Sequence, residues 1–181
     1  DIQMCKSGDI VIYHNVQCDG LLVNDMEIEE IKNYNILTLT DFFKKITPDK
    51  VDIFLDIKGE TDITSELYKI ITEHFSCDII KHIYISSFNR LIMENIQLHR
   101  STLFPINIGF TTSNSYTPEQ CDLLFKEIDF VCLDIHILNR SFIEKIKSMG
   151  ILVFTYTCSS KTDFEYILTF DIDAIVSNYY I

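Results

Sequence analysis

Apolar residues are grouped along the chain into short runs that are separated by amphipathic segments. The runs are rich in Val, Ile, Phe and Leu and are apolar throughout, which is typical of strands that are covered on both faces. Between them, apolar residues recur at helical spacing. The predicted strands after the first hairpin are 51–58, 82–88, 104–111, 130–138, 151–157 and 174–178.

Helix start and stop signals stand between these predicted strands. Thr40 is predicted to cap a helix that ends before Pro48. Thr117-Pro118-Glu119-Gln120 is a capping box with proline at the first helical position. Asn139 is predicted to cap a helix that Gly150 ends in the left-handed conformation. Further helices are expected to open at Thr64, at Asn89 and near Phe164.

The first fifteen residues, DIQMCKSGDIVIYHN, are predicted to form a β-hairpin. A two-residue loop at Ser7-Gly8 suits a tight turn, because glycine adopts positive φ freely. With that loop, antiparallel pairing sets Asp1 directly opposite His14, with Cβ atoms about 4.5–5.5 Å apart. A carboxylate and an imidazole would then meet at one end of the hairpin. An ordinary edge hairpin with a solvated histidine is the alternative.

The regular alternation of strands and helices favours parallel βα units with helices covering the sheet. The first hairpin arm adds a seventh strand to the six that follow it. A doubly wound sheet and a (β/α)8 barrel both fit this pattern, and we expect one domain over residues 1–181. Residues 16–37, which carry turn and acidic signals, are expected to be a surface excursion with at most a short helix.

Composition excludes some classes of protein. A hydrophobic content of 47% excludes disorder, and a net charge of −12 argues against a nucleic-acid backbone as partner. A small phosphorylated substrate stays compatible, because a divalent cation can reverse the local charge. No apolar run is long enough for a transmembrane span. The six cysteines contain no CxxC pair and are expected to be reduced, which together with the lack of a signal peptide predicts a cytoplasmic protein.

Polar residues at the carboxyl ends of the predicted strands are the candidates for chemistry, since a barrel builds its active site there. Asp56 and Lys58 lie two residues apart on one strand and point the same way. Such a pair is costly to bury without partners or a ligand, so it is the strongest site signal, with a structural ion pair as the alternative. The other candidates are Asp1, His14, Ser87, Asp134, His136, Thr157, Ser159, Ser177 and Asn178.

These motifs resemble those of the glycerophosphodiester phosphodiesterase family over nearly the whole chain. DIQMCKSGDIVIYHN is similar to the family segment in which an E-x-D metal motif crosses a hairpin to a His-Asp pair, and FLDIKGE is similar to its E-x-K strand. The resemblance implies an α/β fold of the (β/α)8 TIM-barrel type. It also implies hydrolysis of glycerophosphodiesters to glycerol 3-phosphate and an alcohol, with a divalent cation and two histidines. Further similar segments are ILTLTDFF, ISSFN, MGILVFTYTCSS and IDAIVSNY.

The resemblance assigns a role to four residues. Asp1 matches the aspartate of E-x-D, a metal ligand, and Asp56 stands where the family has a glutamate ligand. His14 matches the second histidine, a general acid or base, and Lys58 matches the lysine that holds the substrate phosphate. Hard carboxylate oxygens suit Ca²⁺ or Mg²⁺, which is the expected cofactor.

The chain also departs from the family pattern. The strand with the first histidine and arginine, and the glutamate of E-x-D, would lie before residue 1, so we expect a barrel that lacks its first strand–helix unit. Such a barrel would have unpaired edges and could self-associate. The chain has Asn15 where the family usually has Asp, Tyr156 where it has Trp, and Asn178 where it has the closing Asp. The alternatives are a catalytically inactive barrel that binds a phosphorylated ligand or a protein partner, and a lipid-specific phospholipase D of the same barrel type.

Overall fold

The computed structural model of the protein describes residues 1–46, 51–100 and 104–180. The chain divides into two compact units, 1–107 and 108–181. The helix predicted to open at Thr40 ends at Phe43, and its predicted stop, Pro48, lies outside the described residues. The expectation of a single domain stays a prediction.

The first unit contains short strands at its start and longer strand–helix repeats after residue 51. Its strands are β1 (Ile2–Met4), β2 (Ile10–Ile12), β3 (Gln17–Cys18), β4 (Leu21–Leu22), β5 (Ile53–Ile57) and β6 (Ile83–Ser87). Its described helices are α1 (Ile28–Lys32), α2 (Leu39–Phe43), α3 (Thr64–His74), α4 (Cys77–Ile80) and α5 (Arg90–Leu98), with a 3₁₀ turn at Val23–Asp25.

Strand β1 is central to the sheet of this unit. It pairs antiparallel with β2 and parallel with β5, since Ile2 is the partner of both Ile12 and Ile57. Strand β5 in turn pairs parallel with β6 over its whole length, whereas β3 and β4 form a separate two-stranded hairpin. The first hairpin arm therefore joins the parallel strands, as the sequence predicts.

The register of the first hairpin differs from the predicted one by one residue. The Cys5 N–H donates to the carbonyl of Asp9 (2.9 Å), and the Gly8 N–H donates to the carbonyl of Cys5 (3.0 Å). The loop thus has three residues rather than two, with Gly8 at φ 89° closing it in the left-handed region. Tyr13, not His14, pairs with Asp1, through a 3.1 Å bond from its N–H to the Asp1 carbonyl. The predicted direct pairing of Asp1 with His14 is wrong.

Residues 16–37 contribute to the interior more than the sequence suggests. Their turn signals do produce the β3–β4 hairpin, and the predicted short helix is α1, which begins with a capping box between Glu27 and Glu30. The segment also buries an apolar cluster against the first hairpin, so the expected surface excursion is wrong in this respect. The buried members of this cluster are Cys5, Val11, Cys18, Val23, Met26 and Ile31.

The longer helices of the first unit pack one apolar face inward. Helix α3 buries Leu67 and Ile71, and α5 buries Ile92 and Ile96. Helix α2 is capped by Thr38, whose Oγ1 accepts a 3.0 Å bond from the Asp41 N–H, rather than by Thr40. The short helix α4 was not predicted, because four residues are too few to show helical periodicity.

The second unit begins within strand β7 (Asn107–Thr112) and continues the strand–helix alternation. In this unit β7, β8, β9 and β10 pair in that order, all parallel. The elements after β7 are α6 (Pro118–Leu124), β8 (Phe130–Asp134), a 3₁₀ turn (Ile135–Ile137), α7 (Arg140–Ser148), β9 (Leu152–Cys158), α8 (Lys161–Ile167) and β10 (Ala174–Ser177).

The helix signals of this unit are confirmed. Thr117 and Gln120 form the predicted capping box at α6, and Asn139 caps α7 through a 3.3 Å bond from the Phe142 N–H. Gly150 follows α7 at φ 78°. The predicted strand 130–138 is shorter than expected, because the Asp134 side chain accepts the His136 N–H and starts the 3₁₀ turn. Every helix in the described ranges is too short or too polar to cross a bilayer.

Candidate active site

Lys58 is the centre of the candidate site, in the first unit. Its Nζ lies 3.2 Å from Oδ1 of Asp1 and also contacts Oδ2 of Asp56, while its side chain is only 17% exposed. Because alternate residues of a strand share a face, Asp56 and Lys58 point the same way, as predicted. The parallel pairing of β1 with β5 brings in Asp1, since the Lys58 N–H donates to the Ile2 carbonyl (2.8 Å). The structure therefore joins three of the four predicted site residues.

The buried carboxylate of Asp56 is held from two sides. Its Oδ2 contacts Lys58, and its Oδ1 accepts a 2.9 Å hydrogen bond from the Ser86 hydroxyl. Ser86 is the direct partner of Asp56 in the β5–β6 register. A buried ionised carboxylate needs such partners, because each one replaces hydrogen bonds that water would make.

The ammonium of Lys58 has an aromatic neighbour as well as two carboxylates. Its Nζ lies 5.4 Å from the centroid of the Phe88 ring, within the range of a cation–π contact. Phe88 follows β6 directly and is exposed. The lysine is thus held by charge on one side and by a ring face on the other, which restricts its otherwise flexible stem.

His14 follows β2 and is exposed. Its Nδ1 lies 3.0 Å from Oδ1 of Asn15. An amide oxygen only accepts, so Nδ1 donates and the neutral ring keeps Nε2 as its acceptor. Asn15 replaces the family aspartate yet still supplies an acceptor to the imidazole. Within the described residues, no hydrogen bond or ion pair joins His14 to Asp1, Asp56 or Lys58.

A cavity of about 290 Å³ opens beside Lys58. Its wall includes Gln3 and Met4 from β1, Val16 and Leu22 from the β3–β4 region, and the segment that follows Lys58. The wall of the cavity therefore combines Lys58 and Glu60 with apolar and uncharged polar residues. Such a mixture suits a small anionic ligand that carries an organic substituent.

The family resemblance implies a divalent cation, and Asp1 and Asp56 are the residues whose carboxylates could hold it. Within residues 1–46, 51–100 and 104–180, no group of three or more His, Cys, Asp or Glu side chains could bind a metal. Two converging carboxylates still fit a hard cation such as Mg²⁺, which usually keeps several waters and uses one or two carboxylates. The contact of both with one ammonium shows that the point between them favours positive charge.

Four of the remaining predicted strand-end residues have side-chain partners within the protein. Ser87 donates to the Ile57 carbonyl (2.8 Å) and accepts from the Asn89 N–H. In the second unit, Asp134 accepts from both the backbone N–H and Nδ1 of His136, and the Ser177 hydroxyl lies within hydrogen-bond distance of the Cys158 and Tyr179 carbonyls. These hydrogen bonds explain Ser87, Asp134, His136 and Ser177 without a ligand.

Three contributors to the site are not among the candidates that the sequence indicates. Ser86 and Phe88 lie in the predicted strand 82–88, on either side of the candidate Ser87. Gln3 is a polar residue on a buried strand, two places from Asp1, and this spacing was a usable signal.

Comparison with known proteins identifies the family. The model of the glycerophosphoryl diester phosphodiesterase family matches residues 1–180. No curated protein sequence matches the chain significantly. Among solved structures, the chain is similar to an Oleispira antarctica phosphodiesterase in complex with the product sn-glycerol-3-phosphate. The TM-score is 0.83 at 16% identity, over 98% of this chain and 79% of that one.

Two glycerophosphodiester phosphodiesterases show the same fold. The enzyme from Parabacteroides distasonis has a TM-score of 0.80 at 15% identity, over 98% of this chain and 77% of that one. The enzyme from Thermotoga maritima has a TM-score of 0.74 at 17% identity, over 97% and 79%. The predicted α/β fold of the (β/α)8 type is thereby confirmed, rather than the doubly wound sheet. The chain belongs to the glycerophosphoryl diester phosphodiesterase family.

Proposed function

We propose that this protein hydrolyses a glycerophosphodiester to glycerol 3-phosphate and an alcohol, at the site centred on Lys58. The observation that carries the proposal is the contact of the Lys58 ammonium with both Asp1 and Asp56 beside an open cavity. The family match supports the reaction class, and the product in the Oleispira structure supports the glycerol 3-phosphate half of the substrate.

Lys58 is proposed to bind the phosphate. The diester carries one negative charge, and a largely buried ammonium attracts that charge more strongly than an exposed one, because water screens it less. Lys58 also stays in place to meet the charge that grows on the phosphoryl oxygens as the P–O bond breaks. Phe88 and the two carboxylates hold the ammonium in that position.

His14 is proposed to move the proton. In the hydrolysis, a water oxygen bonds to phosphorus and gives up a proton, the bond from phosphorus to the alcohol oxygen breaks, and the alcohol oxygen takes up a proton. An imidazole whose Nδ1 is fixed by Asn15 presents Nε2 for this exchange. Histidine titrates near neutral pH, so it can give or accept a proton there.

Mg²⁺ or Ca²⁺ is proposed as the cofactor, held by Asp1 and Asp56 with water completing the shell. Bound there, the cation would supply Lewis acidity toward a phosphoryl oxygen. The two carboxylates supply hard oxygen ligands, which disfavour soft metals.

All six cysteines are thiols rather than disulfides, which supports a reducing compartment such as the cytoplasm as the place of action.

The test couples release of glycerol 3-phosphate from glycerophosphocholine or glycerophosphoethanolamine to a dehydrogenase, with and without chelator. Lys58→Met and His14→Ala should each lower kcat/KM by at least about a hundredfold. Lys69→Met is the matched control, because Lys69 pairs with Glu66 on an exposed helix face. A folded wild-type protein that binds a phosphorylated ligand without turnover would favour the inactive barrel instead.

A further inference from the structure

Gln3 is a buried polar residue whose amide joins two points of the chain on either side of His14. It lies on β1 and is only 5% exposed. Its Nε2 donates to the carbonyl of Tyr13 and to the carbonyl of Asn15, each at 2.8 Å. Both amide hydrogens are therefore used on the two residues that flank the histidine.

This pair of hydrogen bonds matters because His14 lies outside regular secondary structure. Strand β2 ends at Ile12, so its pairing with β1 stops just before the histidine. The last backbone hydrogen bond of this pairing runs from the Tyr13 N–H to the Asp1 carbonyl. Beyond that point, the side-chain amide of Gln3 connects β1 to the segment 13–15 through its two hydrogen bonds. An exposed segment without such a link would sample several backbone conformations.

The location of Gln3 connects this segment to the candidate site. Gln3 and Asp1 share a face of β1 by strand alternation, and Gln3 lines the same cavity as Lys58. The strand that carries Asp1 to Lys58 is thus the strand that anchors the histidine. A fixed distance between proton carrier and phosphate site is what catalysis by orientation requires.

We infer that Gln3 is a positioning residue, which holds His14 in register with the phosphate site through its bonds to the Tyr13 and Asn15 carbonyls. Among the described residues, the hydrogen bonds of its amide nitrogen go to the backbone on either side of His14 and not to the imidazole. The inference rests on the proposed function for its catalytic consequence, but its structural half can be measured without any activity.

The variant that tests it is Gln3→Met, which keeps the length and volume of the side chain and removes both donors. Misplacement of a catalytic group by about 1 Å can cost on the order of a hundredfold. We expect kcat to fall about ten- to a hundredfold, with KM changed by less than about twofold. Amide hydrogen exchange of segment 13–17 should become faster in the same variant.

The matched control is Tyr68→Phe, which removes another side-chain bond to a backbone carbonyl, from the Tyr68 hydroxyl to Ile96 (2.8 Å). It should leave kcat, and exchange in segment 13–17, at wild-type values. Gln3→Asn, which keeps an amide but is one methylene too short, should shift both readouts in the same direction as Gln3→Met and serves if Gln3→Met does not fold.

The outcomes separate the two proposals. A lower melting temperature with unchanged kcat, or a folded Gln3→Met variant with unchanged exchange in segment 13–17, overturns the inference. So does a rise in KM at constant kcat, since Gln3 would then bind substrate directly. If the wild-type protein shows no turnover, the proposed function fails, whereas faster exchange in the variant still supports the anchoring of His14.

Discussion

Ser86 on β6 donates a 2.9 Å hydrogen bond to Oδ1 of Asp56 on β5, and the two residues are direct partners in the parallel register. The bond orients the carboxylate so that its other oxygen faces Lys58. Both side chains are buried, which makes the bond costly to lose.

Replacing Ser86 by alanine should therefore lower the free energy of unfolding by about 1.5–3 kcal/mol, the usual range for a hydrogen bond to a charged group. Urea denaturation followed by circular dichroism measures the change. Ser65→Ala, at an exposed position of α3, is the control and should change stability by less than about 0.5 kcal/mol. Equal effects of the two substitutions would contradict a role of Ser86 in holding Asp56.

Removing the charge of Lys58 should make the protein respond more strongly to Mg²⁺. In Lys58→Met the carboxylates of Asp1 and Asp56 lose their shared ammonium, and the free energy of unfolding should fall by up to about 3 kcal/mol. Mg²⁺ then competes with no internal cation, and it stabilises the folded state that binds it.

Differential scanning calorimetry without Mg²⁺ and at about 10 mM Mg²⁺, above the millimolar range of weak carboxylate sites, should show a larger rise in Tm for Lys58→Met than for the wild type. Lys69→Met should respond like the wild type. If Mg²⁺ shifts the wild type and Lys58→Met equally, the two carboxylates do not form its site.

The left-handed conformation of Gly8 predicts a specific cost of substitution. Its φ is 89°, and a Cβ at this position would meet no atom within 4 Å, so strain rather than crowding determines the effect. Gly8→Ala should destabilise by about 1–2 kcal/mol. Gly8→Asn should cost less, because asparagine tolerates this region better. Thermal denaturation of the two variants compares their melting temperatures directly. A lower melting temperature for Gly8→Asn than for Gly8→Ala would refute the explanation.

Asp62 gives the protein a pH-dependent contribution at the start of α3. Hydrogen bonds from the Thr64 hydroxyl and then the Thr64 N–H hold the pKa of the Asp62 carboxyl below its ordinary value of 3.8. Because the folded pKa is depressed, this contribution is present above pH 3.8 and is lost as the pH falls through the folded pKa.

Asp62→Ala should therefore cost about 1 kcal/mol at pH 7, as for the loss of a helix cap. The difference from the wild type should shrink as urea melts are repeated at pH values below 3.8. Glu73→Ala, at an exposed position of the same helix, should show little change. A cost for Asp62→Ala that stays constant down to pH 2 would exclude the carboxylate as its source.

The elements with strong local signals were predictable from the sequence. The capping box at Thr117 and the glycine stop at Gly150 depend on a few adjacent residues, and both are confirmed. The pair Asp56 and Lys58 was predictable as well, because strand alternation alone puts both on one face.

The hairpin register and the cap of α2 were not predictable in this way. The sequence Lys6-Ser7-Gly8 suits a two-residue loop as well as a three-residue one, and only pairing with the rest of the sheet decides between them. Thr38 and Thr40 are the same residue type and have the same preference for the N-cap position. The packing of α2 in the folded protein therefore determines that Thr38 is the cap. The hydrogen bond of Ser86 to Asp56 was not predictable either, because it depends on the β5–β6 register, which pairs residues thirty positions apart.

Strand β1 has a partner on each side, β2, which leads to His14, and β5, which leads to Lys58. Displacing β1 by one residue against either neighbour would turn Asp1 and Gln3 away from the site together, so both would fail at once. A change in loop length should consequently disturb this sheet less in the β3–β4 hairpin, which lies outside it, than between β1 and β2. An engineer who wishes to alter substrate choice should therefore vary Val16 and Leu22 on the cavity wall and leave the register of β1 intact.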